Sequence, residues 1–102
     1  MTATAIPHNP RSAAHPQTKD RFAHFGQAVR RHRKRWGLSQ EALAKRAGCD
    51  RQSVNRVENG AYSPTLDRAW RLADALGVRL EELLHEASVS LAEQRARERA
   101  HD

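Results

Sequence analysis

The chain has little of what an exported, membrane-spanning or catalytic protein needs. One cysteine among 102 residues leaves no partner for an internal disulfide and makes a reducing cytoplasm the expected setting. Uninterrupted apolar runs are only a few residues long, too short to cross a bilayer, and the N-terminus lacks the apolar core of a secretory signal. No Ser/His/Asp arrangement, glycine-rich phosphate loop or acid pair stands out, so the chain reads as a non-enzyme without a cofactor. Its six histidines have no Cys, Asp or Glu partners at zinc-binding spacing, and no metal is expected.

What is present is positive charge, unevenly spread. Of the net +6, residues 1–20 carry two bases and one acid, residues 21–60 ten bases and three acids, and residues 61–102 six bases and eight acids. Such asymmetry points to a polyanion bound by one side of the fold, with a merely solvated charged face as the plain alternative.

The most basic stretch also holds the clearest pattern. From Ser39 to Gly48, Leu43, Ala44 and Ala47 make one apolar stripe, Ser39 is placed to cap the free amides, and Glu41 complements the positive helix end. Gly48 can take the left-handed backbone that ends a helix without the penalty of a Cβ. Asp50 caps a second helix after the single residue Cys49, so two short helices must cross steeply, with Ala44 small enough to admit the second. Each residue of that second helix advances about 100°. Val54 and Val57 therefore face one way and Gln52, Asn55, Arg56 and Asn59 the other, with Arg51 at the flank. Arginine offers a fork to guanine O6 and N7, and Gln or Asn a matched donor and acceptor to adenine, so the outward arc suits base edges. Glu58 lies beside the valines, where it is expected to be partly buried and to need a cation.

In this order the residues resemble the helix-turn-helix of the Cro and lambda-repressor type, the XRE-like family of bacterial and phage regulators. The resemblance runs from about Phe22 to about Glu86. It takes in Phe25-Gly26, Val29, Arg33 and Gly37-Leu38-Ser39 before the motif, Glu58-Asn59-Gly60 at its exit, Ser63-Pro64-Thr65-Leu66, and Leu72 to Val78 leading to Leu80, Leu83 and Leu84. It implies an all-α, compact five-helix lambda-repressor-like domain that binds double-stranded DNA. Gln40 matches a position that contacts phosphate and braces a recognition-helix side chain. Arg51, Gln52, Asn55 and Arg56 match or flank base-reading positions, while Ser53, Asn59 and Lys45 are candidates for phosphates. Arg33 is expected to pair with Glu58. One recognition helix covers few base pairs, so a homodimer on an inverted repeat is expected, with half-sites about 34–36 Å apart.

Outside this core, residues 1–20, with prolines at 7, 10 and 16, are expected to form a disordered arm in which only Arg11 and Lys19 offer charge to phosphate. Residues 21–86 are the expected domain. Residues 87–102 form a polar tail with capping-box spacing at Ser90 to Glu93, which either frays or packs on a partner, with fraying the expectation. Phe22, Phe25, Val29 and Trp36 are expected to line the inner face of the first helix, and Leu66, Ala69, Trp70, Ala73 and Leu76 that of the fourth. His32 and Cys49 read as packing residues. Val78, Leu80, Leu83 and Leu84, with Val89 and Leu91, are candidates either for a dimer contact or for closing the monomer core. Two functions fit: an autoregulatory repressor of a phage-immunity or restriction-controller kind, or an antitoxin whose arm or tail folds onto a toxin.

Overall fold

Side-chain oxygens decide where three of the helices begin. In the computed structural model, which describes residues 17–100, the helices are α1 (Gln17–Arg35), α2 (Gln40–Ala47), α3 (Arg51–Glu58), α4 (Leu66–Leu76) and α5 (Leu80–Ala100), with no strand among the described residues. Ser39 Oγ accepts from Ala42 N–H at 3.0 Å, Asp50 Oδ1 from Ser53 N–H at 2.7 Å, and Thr65 Oγ1 from Arg68 N–H at 3.0 Å, each satisfying a donor that the first turn leaves free. Gly48, at φ 73°, closes α2 in left-handed backbone, as its place after the apolar stripe implied. The start of α5 uses a side chain from inside the helix instead: Glu82 Oε1 accepts from Arg79 N–H at 3.0 Å.

The core gathers the apolar stripes of all five helices. Leu43, Leu72, Leu76, Leu83, Val29, Val54 and Val57 are its largest fully buried side chains, with Ala28, Ala44, Ala47 and Ala73 letting the helices approach closely. α1 packs on α3 and α5, and α2 on α3 and α4. Among the described residues no helix is long and apolar enough to cross a membrane.

Several expectations are corrected here. Helix α1 begins at Gln17, inside the stretch assigned to the arm; the rest of the arm, residues 1–16, lies outside the described residues. The expected fraying beyond Glu86 is absent: α5 continues without a break to Ala100, and Ser90 sits inside it rather than capping a new helix. The reason is antiparallel docking on α1. Ala87 and Leu91 are buried, His24 Nε2 meets Gln94 Oε1 at 2.6 Å, and His32 Nε2 meets Glu86 Oε2 at 2.6 Å. A helix marginal in isolation is held by tertiary contact along one face.

Trp36, Leu66 and Trp70 are not core residues, being 61%, 65% and 54% exposed. Trp36 lies past the end of α1, its indole N–H donating to Leu76 O at 2.9 Å while the ring faces out. Leu66 and Trp70, one turn apart, sit on a flank of α4 beside the stripe of Ala69, Leu72, Ala73 and Leu76 that faces the core. Phe22 is half-buried, whereas Phe25 and Val29 are buried as expected.

Candidate nucleic-acid interface

The outward arc of α3 is held in place from behind by a chain of polar contacts. Arg33 on α1 approaches Glu58 on α3 with both prongs of its guanidinium, Nε at 2.5 Å from Oε2 and Nη2 at 2.9 Å from Oε1, and its Nη1 donates to Leu38 O at 2.8 Å. The Glu58 side chain is 2% exposed. The hydrogen bond to Glu58 strengthens the Arg33 guanidinium's hold on its proton, against the opposing effect of burial, so the arginine stays charged. A charge this deep is tolerable because the pair is bidentate and its remaining acceptor sites are occupied.

Gln40 extends the chain toward the surface. Its Nε2 donates to Glu58 Oε1 at 3.1 Å and to Asn55 Oδ1 at 3.2 Å, and Asn59 Nδ2 also donates to Asn55 Oδ1, at 3.3 Å. The Asn55 oxygen is thereby taken up by two neighbours. What Asn55 can still turn outward is its amide donor, so it lacks the free donor–acceptor pair that adenine recognition needs. The resemblance implied that Gln40 braces a recognition-helix side chain; that the side chain is Asn55, and that both its oxygen lone pairs are thereby used, the structure alone shows.

Arg51, Gln52 and Arg56 are exposed and make no side-chain hydrogen bond among the described residues, so their forks and amides are available to a ligand. Ser53 is half-buried and Asn59 exposed. Lys45, on α2, is exposed as well. Asp50 is held below the usual carboxylate range mainly by the backbone hydrogen bond from Ser53, with Arg68 and Arg56 adding to it, so the cap stays ionised. Cys49 is half-buried, and burial pushes its thiol up despite Arg68 and Arg71 nearby, which keeps it in the less reactive protonated form.

A close approach completes the frame. A Cβ on Gly26 of α1 would collide with Val57 O and lie 2.8 Å from Glu58 O, so only glycine lets α1 rest against the last turn of α3.

A short helix locked by an ion pair, a steep partner helix at its base and an exposed face of Arg and Gln define a DNA-binding helix-turn-helix domain. Comparison with known proteins agrees: the helix-turn-helix family model matches residues 29–83, and the chain belongs to this XRE-type family of DNA-binding transcriptional regulators, which are not enzymes. It is 53% identical over 49 residues, 48% of this chain and 71% of the relative, to an uncharacterised HTH-type transcriptional regulator of Methanothermobacter thermautotrophicus. It is 33% identical over 72 residues, 70% of this chain and 89% of the relative, to the control protein C.BamHI of Bacillus amyloliquefaciens. Among solved structures it is similar to the restriction-modification controller protein C.AhdI of Aeromonas hydrophila, at a TM-score of 0.60 and 42% identity over 61% of this chain and 94% of that one.

Proposed function

We propose that the protein is a sequence-specific regulator that binds an inverted-repeat operator as a homodimer, most simply an autoregulatory repressor of the controller kind. The observation that carries this reading is the braced outward arc of α3. Arg51, Gln52 and Arg56 are the base-reading residues; Asn55 contributes a donor. Gln40, Lys45, Ser53 and Asn59 contact phosphate, and Gln40 also steadies Asn55. Similarity to two controller proteins supports the role assigned to the operator. A single cysteine, with no partner for an internal disulfide, suits work in the cytoplasm.

An exposed apolar face supports a seat for a second copy. Leu66, Trp70 and Leu84 are 65%, 54% and 47% exposed, and Leu66 and Leu84 share a groove of about 300 Å³ with Phe22, Phe25 and Pro64. Leu80, Leu83 and Leu91 are buried within the monomer, so of the candidates on α5 only Leu84 and Val89 stay exposed for a dimer, with Leu66 and Trp70 of α4 similarly exposed. The antitoxin reading draws on a free arm or tail; the packing of α5 on α1 weighs against the tail, and residues 1–16 of the arm lie outside the described residues.

Selection of bound sites from a random DNA pool tests the reading. The expected product is an inverted repeat whose half-sites lie about 34–36 Å apart along the duplex. A pool that stays unenriched, or one that yields a single unpaired half-site, would overturn sequence-specific or dimeric binding respectively.

A further inference from the structure

Helix α1 carries exposed bases that the recognition helix does not use. Arg30, Arg31, Lys34 and Arg35 all face solvent near its C-terminal end. Arg31 is engaged by Glu86 at 3.3 Å, whereas Arg30 and Lys34 have no ion-pair partner among the described residues. Gln27, Arg30, Arg31 and Lys34 line one shallow surface groove.

Three contacts determine which way that groove faces. Gly26 abuts the last carbonyls of α3; a Cβ on Gly60, just beyond α3, would lie 2.7 Å from Ala23 Cα; and Arg33 grips Glu58. The stripe of α1 formed by residues 23, 26 and 33 therefore runs along the C-terminal end of α3. Arg30 stands four residues after Gly26 and three before Arg33, so it falls beside that stripe on its solvent side, while Lys34, four after Arg30, continues the same exposed ridge toward the end of α1. Arg30 thus stands on the side of α1 nearer the exit of the recognition helix, where Asn59 is also exposed, and Lys34 extends the positive ridge away from it.

We infer that Arg30 and Lys34 form a phosphate clamp that holds the backbone of double-stranded DNA at the rim of the groove entered by α3. The inference rests on the reading of α3 as the recognition helix. Cations in this place add affinity and set register without reading sequence, because their partners are the phosphates that every site shares. The competing role for Arg30 is structural: a cation near the C-terminal end of α3 offsets the negative end of that helix. The two roles differ in what they move, since a structural cation changes stability and a clamp changes salt dependence.

The test uses the site selected by the wild-type protein and measures affinity across a salt series for wild type, for Arg30→Gln/Lys34→Gln, and for the control Arg97→Gln/Arg99→Gln, which removes equal charge from the exposed end of α5. Each lost phosphate contact should make the slope of log affinity against log salt shallower by roughly 0.9. The clamp variant is expected to lose about two such contacts, with its preferred bases unchanged, while the control keeps the wild-type slope. Equal slopes in wild type and clamp variant, an equal change in the control, or a lowered urea midpoint with an unchanged slope would each overturn the clamp while leaving the recognition helix intact. A wild-type protein that selects no site overturns both readings.

Discussion

The Glu58 carboxylate receives three donors, Arg33 Nε and Nη2 from α1 and Gln40 Nε2 from α2, so one acidic side chain of α3 joins the three helices that frame the interface. Removing it leaves Arg33 charged and nearly buried with no counter-ion. Glu58→Ala is expected to cost about 3–5 kcal/mol of stability, read as a lower urea midpoint. An unchanged midpoint would show the pair to be decoration.

Truncation on the outward arc should separate readers from holders. Gln52→Ala or Arg56→Ala is expected to cost about 1–3 kcal/mol on the selected site and to relax preference at one base position. Lys45→Ala should weaken every sequence alike. Binding measured on a panel of single-base variants distinguishes them, and a Gln52→Ala protein with the wild-type preference at every position would remove Gln52 from the reading set.

Asn55 makes a different prediction from its neighbours. With its oxygen committed to Gln40 and Asn59, Asn55→Asp keeps the acceptor and removes the outward donor. Binding should fall while the urea midpoint changes by under about 1 kcal/mol equivalent, as for other surface substitutions. Gln40→Ala, by contrast, is expected to lower both.

The docking of α5 supplies a pH dependence. Burial opposes ionisation of Glu86, but hydrogen bonds from His32 and Arg31 outweigh it and hold the carboxyl below its usual range. Because the folded value is the depressed one, this stabilisation is fully present above the unfolded value, near the ordinary 4.5, and is lost as pH falls through the folded value. Urea midpoints measured from pH 7 down to pH 3 should therefore drop less in Glu86→Gln than in wild type. Parallel curves for the two proteins would disprove the linkage.

The apolar face of α4 and α5 is tested by Trp70→Ala/Leu84→Ser. Both side chains are about half exposed, so the variant should fold with a near-wild-type midpoint yet sediment as a monomer at concentrations where wild type is a dimer. Wild-type protein that is monomeric both free and on DNA would defeat the dimer outright.

Much of the site was legible because its determinants are local. A capping oxygen at Ser39 or Asp50, a glycine at 48 and the spacing of Val54 and Val57 act within one or two turns, so residue order alone located the motif and the face it turns outward. Glu58 was legible too, since an acid among valines demands a cation and family likeness supplied Arg33. Trp70 and Leu66 were misplaced because hydrophobicity shows that a side chain gains from burial, not whether this chain provides the cover. The Asn55 oxygen's double use was not legible because, although Asn59 lies one turn on in the same helix, its other partner, Gln40, comes from 15 residues before and reaches it only once α2 packs on α3.

By itself, then, the sequence determined the two-helix motif and the chemical character of the recognition face, since caps, glycines and helical periodicity are short-range effects, while the five-helix pattern came from the family resemblance. Tertiary structure alone decided that α5 continues to Ala100, that Asn55 presents only a donor, and that the α1 face carrying Arg30 lies beside the exit of α3. Each of these depends on which helix faces meet, and that choice follows from the joint fit of α1 with α3 and α5, through Gly26 against α3 and the histidines against α5, rather than from the preference of any one segment.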